Sequence, residues 1–377
     1  MSDTVSAKTV FFALIRAALA GEGAPVSVDE RVLRALLEVG ARQGMLPLLS
    51  IGAKVCGCGE DAVLALRTAS DRDMFDFALR DKVFLSVRVA LDGEGVTYVP
   101  LKGAVLCSLY PDKWTRTSRD LDVLVREDDL DRAVRAIESK TPLRVKSRNY
   151  HDVTMVGGGV CLELHFSLCE NSPSLDRTLS RAWEYCEPSG EGSAYRMSAE
   201  YLAFHVAAHM SYHLARAGLG VRPYIDLRLL RKMTSFDEEA VRGMCAECGI
   251  LKFYDAAARL GEVWIDGAEH DPTTKDMERL CFCGGVFGST RGTEAALRRS
   301  DGGAYLVRRV FQPKSKLSEA YPGVEKRPYL APVYQVRRWG AALRRKSVKK
   351  KLRAIRETSH EQEAALDRVL TALSLDV

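Results

Sequence analysis

"VPLKGAVLCSLYPDKWTRTSRDLDVLVRE" (residues 99–127) places two aspartates, Asp120 and Asp122, one residue apart at the mouth of an aliphatic run. On a strand, residues two apart share a face, so Leu121, Val123 and Val125 point to a core while Asp120 and Asp122 point together the other way. Like charges side by side destabilise a buried strand unless a cation lies between them. A hard divalent ion does this well, since it takes carboxylate oxygens at close range and keeps positions open for phosphate.

A third carboxylate follows on a later segment. In "VCLELHF" (160–166) Val160, Leu162, Leu164 and Phe166 form one face, and Cys161, Glu163 and His165 the other. Upstream, "PLKG" ends a strand and opens a helix. The freed backbone N–H groups there, the close approach allowed by Gly103 and the point charge of Lys102 suit a phosphate. Arg116, Ser118 and Arg119 precede the acidic pair and can add charge-assisted contacts to a triphosphate.

Around this segment the periodicity changes twice. Residues 1–92 read as helices over 7–20, over 28–43 after a cap at Ser27, and through "DAVLALRTASDRDMFDFALRDKVFLSVRVALD" up to Gly93. "VTYVPL" (96–101), "LDVLV" (121–125), "RVKSR" (144–148) and a hairpin turning at Gly157–Gly159 read as strands, and "GAVLCSLY" and "DDLDRAVRAIESK" as helices. From 198 the chain returns to helix, with Ser198 as a cap. Prolines 313, 322, 328 and 332 make 311–334 an extended connector, and a basic helix follows. The expected class is α+β: a small mixed β-sheet core (93–197) between an N-terminal helical region (1–92) and a C-terminal one (198–377).

Composition sets outer limits. The 377 residues carry a net charge of +5 and 46% hydrophobic residues, an ordinary globular balance compatible with an anionic substrate. No stretch reaches the roughly 18 uninterrupted apolar residues of a membrane span, and Arg16 interrupts the apolar N-terminal run, which argues against a signal peptide. The ten cysteines include C-x-C pairs at Cys56/Cys58 and Cys281/Cys283 and one C-x-x-C at Cys245/Cys248, without the paired spacing of a zinc module. Reduced thiols and a cytoplasmic location are expected.

The combination of LKG, then "RTSRDLDVLV", then "LELHF" resembles the polymerase-β-type nucleotidyltransferase superfamily, in particular its uncharacterised nucleotidyltransferase branch (NTP_transf_5). The resemblance is strongest over 96–167. It implies a two-metal-ion site of Mg²⁺, or Mn²⁺, in which Asp120 and Asp122 hold both ions and Glu163 completes the catalytic one; an NTP whose phosphates lie near Lys102, Gly103, Arg116, Ser118 and Arg119; and transfer of a nucleoside monophosphate to a hydroxyl of an unidentified acceptor with release of pyrophosphate. Two features depart from the superfamily pattern: Ala104 replaces a usual Gly or Ser after Gly103, and the third acid is Glu rather than Asp.

His205, His209 and His213 recur every four residues and so stack on one helical face. A zinc site using two of them with Asp226 is one reading; the H-E-x-x-H signature is missing, and a polar stripe facing the cleft fits better. The family resemblance suggests acceptor binding or positioning by His209 or His213; His165, on the face of Glu163, is expected to touch the same ligand, and Asp226 is a further acceptor-binding candidate. The basic stretch 336–356, with Trp339, Leu343, Val348, Leu352 and Ile355 interleaved, reads either as a surface helix docked on the body or as a contact for RNA phosphates or an anionic membrane surface. Two alternatives to the small-molecule or protein transferase remain open: a nucleotide-binding module without turnover, and an RNA-directed transferase.

Overall fold

A computed structural model of the chain describes residues 7–283 apart from Ala217 and Thr234, together with Tyr329, residues 332–335 and residues 360–375. The proline-broken connector, beyond those few positions, and the basic stretch 336–356 lie outside the described residues. No described helix is long and apolar enough to cross a membrane.

Four helices come first: α1 (Ala7–Ala20), α2 (Glu30–Gln43), α3 (Leu46–Val55) and α4 (Glu60–Gly93). The cap of α2 is Asp29 rather than Ser27: its carboxylate accepts from the Val32 N–H at 2.7 Å, and acid at this position also faces the positive end of the helix. The helix α3 was not legible in advance, because its residues are apolar nearly all round and carry no helical stripe.

The sheet follows: β1 (Tyr98–Pro100), the single turn α5 (Gly103–Leu106), β2 (Leu121–Val125), α6 (Leu130–Lys140), β3 (Arg144–Arg148), β4 (Asp152–Gly157) and β5 (Val160–His165). The strand order is β1-β2-β5-β4-β3. Strands β2 and β5 run parallel, pairing Asp122 with Glu163 and Leu124 with His165, while the other neighbours are antiparallel. The hairpin β4–β5 closes over Gly158 and Gly159, whose φ angles of 58° and 81° are those a two-residue turn matching strand twist demands. The expectation of a small mixed sheet in an α+β fold is met. Helix α7 (Pro173–Leu179) and a short hairpin, β6 (Cys186–Pro188) with β7 (Tyr195–Met197), lead back to helices: α8 (Ala199–Arg216), α9 (Arg222–Leu230), α10 (Glu238–Glu247), α11 (Leu251–Asp266), α12 (Pro272–Cys283) and α13 (His360–Leu373).

Two apolar clusters organise these elements. One is the sheet core, where Val123, Val125, Leu162 and Leu164 pack with Ile137 of α6 and with Val87 and Leu91 of α4. The other joins α1–α3 to α8–α12, so the helices before and after the sheet share a core; Phe12 stacks on Trp264 at 4.9 Å. Helix α4 reaches both, through Leu66 toward the helices and Val87 toward the sheet.

A buried ion pair ties the two together beside the sheet. Arg116, between α5 and β2, forks onto Asp226 of α9 through Nε at 2.9 Å and Nη2 at 2.8 Å, and Tyr110 donates to the same carboxylate at 2.8 Å. Thr117 next to it donates to the Gly44 carbonyl, and Arg222 donates back to the Thr117 carbonyl. Replacing one partner strands a buried charge, so Arg116→Met should cost about 3–5 kcal/mol of stability. The double variant Arg116→Met, Asp226→Leu should recover most of that loss in urea unfolding; a single variant costing under about 1 kcal/mol contradicts the pairing.

Helix α8 faces inward over most of its length. Burial first, then the Lys102 ammonium, pushes His205 down to about 3 and His213 down to about 4, and holds His209 well below its ordinary value. These imidazoles stay neutral in the fold but protonate near pH 6.5 once unfolded. Between those limits the unfolded chain binds more protons, so stability is full above about pH 6.5 and declines as pH falls toward 4. His205, 3% exposed, should alone account for about 2 kcal/mol between pH 6.5 and 5. Denaturant midpoints measured across this range check the slope, which His205→Gln should flatten.

Candidate active site

The chain enters β2 from a segment in which alternate residues face one way. Arg116, Ser118, Asp120 and Asp122 line a cavity of about 580 Å³ that lies between the sheet and helices α8 and α9. Lys102 and Gly103, Glu163 and His165 on β5, Asn149, Tyr150 and His151 before β4, Cys169 and Glu170 beyond β5, and the inner face of α8 complete the lining. Five of the seven histidines of the chain, at 151, 165, 205, 209 and 213, belong to this lining.

The sheet register does what the strand periodicity implied. Because β2 and β5 are parallel neighbours with Asp122 opposite Glu163, their side chains emerge on the same face and side by side. Asp122 is 3% exposed. Its Oδ1 accepts from Lys102 Nζ at 3.2 Å and lies 3.2 Å from His165 Nε2, while His165 Nε2 lies 3.7 Å from Glu163 Oε2. Burial opposes the charge on Asp122, yet Lys102 and His165 outweigh it and hold the carboxyl well below the usual carboxylate range. Glu163 moves the other way: desolvation, then the Asp122 and Asp120 carboxylates, raise its pKa. Burial likewise opposes the Lys102 charge, but Asp122, Asp120 and Glu163 together raise the pKa of this ammonium. The site thus holds more negative charge than its one lysine neutralises.

Lys102 reaches this position from a strained backbone, φ 37° and ψ −106°, a conformation found where surrounding structure over-determines it. Gly103 next to it has no room for a side chain: a Cβ there would stand 2.7 Å from Ser118 Oγ and 3.2 Å from Arg116 Nη1. Ser118 Oγ donates to the Asp120 carbonyl at 3.1 Å and lies 3.3 Å from its carboxylate.

Several expected residues stand differently from their sequence reading. Among the described residues, the three groups whose ligand atoms all lie within 4.8 Å of one another are Asp122, Glu163 and His165; Asp120 lines the cavity outside that triangle, held by Ser118. The donor set of two carboxylates and an imidazole is chemically suited to a divalent cation. Arg116 lines the cavity, but two of its nitrogens are committed to Asp226, and Asp226 is committed to Arg116 and Tyr110, so neither it nor a zinc site built on it fits an open ligand position. Arg119 is exposed and outside the lining, because it falls on the odd face of the alternation. The helix predicted over "GAVLCSLY" is one α turn, Gly103–Leu106, continued as a 3-10 turn over Cys107–Leu109; the Ala104 N–H is spent on the Leu101 carbonyl. His209 Nδ1 lies 2.9 Å from Glu170 Oε1.

Glu170, His151 and Arg80 were not foreseen. Glu170 and His151 sit in irregular chain just outside β5 and β4, where no periodicity marks a face. Arg80 of α4 is buried, and desolvation lowers its pKa against the pull of Asp76 and Asp120. With Arg88 and Lys113 it lines a side cavity of about 150 Å³ that shares Gly103, Arg116, Ser118 and Asp120 with the main one. In sequence it is one more arginine on a long helix.

Comparison with known proteins gives three results. No curated protein matches the chain. A solved structure, the solution structure of the antibiotic-resistance factor ANT(2'')-Ia, is similar with 15% identity and a TM-score of 0.36, covering 45% of this chain and 91% of that one. The sequence profile described as uncharacterised nucleotidyltransferase (NTP_transf_5) matches residues 30–266. That match takes in α2 through α11 with the whole sheet and cavity between them, and the chain belongs to the uncharacterised nucleotidyltransferase family.

Proposed function

We propose that the protein transfers a nucleoside monophosphate from an NTP to a hydroxyl group of an acceptor bound in the same cavity, releasing pyrophosphate. The observation that supports this most is the side-by-side placement of Asp122 and Glu163 on parallel strands, with the Lys102 ammonium 3.2 Å from Asp122 and Gly103 in the same cavity lining. Phosphoryl-type transfer needs positioning and charge neutralisation more than covalent chemistry, and this wall supplies both.

Asp122 and Glu163, with Asp120 behind them, would hold divalent cation. When bound, Mg²⁺ or Mn²⁺ polarises phosphate oxygens and eases ionisation of the attacking hydroxyl. Lys102, now paired with Asp122, would direct its ammonium to the phosphates. Gly103 and Ser118 would let the phosphate chain approach the backbone. Arg80 and Lys113 in the side cavity would add positive charge beside the phosphates. Glu163, its pKa raised by burial and the neighbouring carboxylates, would accept the hydroxyl proton as the new oxygen–phosphorus bond forms and the bond to the pyrophosphate oxygen breaks. Neutral imidazoles of His205, His209 and His213, with Glu170, Tyr150 and Tyr212, would line the acceptor end as hydrogen-bonding and stacking groups. A cytoplasmic location agrees with the thiol-rich chain.

The test is incubation of the full chain with each labelled NTP, Mg²⁺ or Mn²⁺ and candidate acceptors, following pyrophosphate release. Asp122→Asn and Glu163→Gln should each lower turnover at least about 100-fold while leaving the circular dichroism spectrum intact. Gly103→Ala, which crowds Ser118, should destabilise the fold by about 1–3 kcal/mol in urea unfolding, since overpacking of this kind costs that much. Nucleotide binding with no pyrophosphate release in any combination would favour a binding module. Wild-type turnover in either carboxylate variant would overturn the proposal.

A further inference from the structure

We propose that His165 is itself a metal ligand, so that the centre is built from Asp122, Glu163 and an imidazole nitrogen, and that it therefore prefers Mn²⁺ or a later divalent transition ion to Mg²⁺. The inference rests on the transferase reading only in taking the cavity to hold a divalent cation.

The placement follows from strand geometry. Glu163 and His165 are two apart on β5 and share a face, and parallel pairing sets Asp122 next to the first and Leu124 next to the second. His165 is 5% exposed, and its ring lies nearly parallel to that of His151, 17° between planes with centroids 5.7 Å apart. This stacking leaves Nε2 directed at the carboxylates, 3.2 Å from Asp122 Oδ1 and 3.7 Å from Glu163 Oε2. Donor atoms bound to one ion at about 2.1 Å and at right angles to each other are about 3 Å apart. The observed separations are slightly wider than that edge, so a modest inward shift of two side chains closes it.

Charge leads to the same conclusion. Asp122 and Glu163 stand side by side with Lys102 as the ammonium partner of Asp122, and a divalent cation would answer the repulsion between the two carboxylates. An imidazole acting only as a hydrogen-bond donor to Asp122 would duplicate what Lys102 already does at the same oxygen, Oδ1. Mg²⁺ takes oxygen ligands and keeps its waters, whereas imidazole suits the later first-row ions; Mn²⁺ accepts both kinds of donor. A nitrogen in the set biases the site away from Mg²⁺.

The experiment titrates Mn²⁺ alone into the full chain and records its electron paramagnetic resonance, using pulsed spin-echo modulation to detect coupled ¹⁴N. The wild type should show modulation from one nitrogen. In His165→Gln that modulation should vanish, Mn²⁺ should bind at least about tenfold more weakly, and Mg²⁺, measured by competition, should change by less than about threefold. His205→Gln should retain the modulation, which excludes a nitrogen from α8. Bound Mn²⁺ without nitrogen coupling in the wild type, or coupling that persists in His165→Gln, overturns the inference and leaves the carboxylate centre standing. Absence of Mn²⁺ binding, or binding indifferent to Asp122→Asn, overturns both.

Discussion

The structure depends on confining negative charge. Two strands run parallel with Asp122 opposite Glu163, and the burial of Asp122 makes that repulsion costly unless it is answered. Lys102 answers part of it from a backbone conformation that ordinary side chains avoid. Side chains on the opposite faces of the same strands, Val123, Val125, Leu162 and Leu164, seal the sheet core and fix the register. A slip of one residue would turn the carboxylates into that core, so the apolar packing and the charged face specify each other.

The helices make this face a cavity rather than a surface. Helix α9 is fixed by the Arg116–Asp226 fork, which binds the approach to β2 to the helical body. Helix α8 lies over the sheet and supplies a row of imidazoles that burial keeps neutral. A charged acid end and an uncharged imidazole end therefore meet in one cavity of about 580 Å³. Such a division suits two ligands of unlike character, one anionic and one hydroxyl-bearing. The long α4, packed against both cores, carries Arg80 to the edge of the acid end.

Much of this was legible in the residues. The alternation of "LDVLV" gave β2 its bounds and put Asp120 and Asp122 on one face; the three glycines after Val156 marked the hairpin; the family's motifs pointed to the same segment. What the sequence could not carry was long-range. Nothing local says that β5 inserts beside β2 and runs parallel to it, and that pairing decides the whole site. Nothing local pairs Arg116 with Asp226, 110 residues later, so an arginine beside an acidic motif read as a phosphate contact. Asp120 and Asp122 looked equivalent, but strand β2 begins at Leu121, and the residue just before it has a serine hydroxyl as its neighbour rather than a strand. The uniformly apolar α3 and the short α7, β6 and β7 lacked a period long enough to read.

The central claim is that the acid wall at Asp122 and Glu163 gathers a cation and the NTP phosphates together. Crystals grown with Mn²⁺ and a non-hydrolysable NTP test it most directly through anomalous scattering. The account predicts a manganese peak within coordination distance of both carboxylates, with the triphosphate beside Gly103 and Ser118 and the Lys102–Asp122 contact opened. Nucleotide bound elsewhere in the molecule, with that contact intact and no manganese between the two acids, would contradict it.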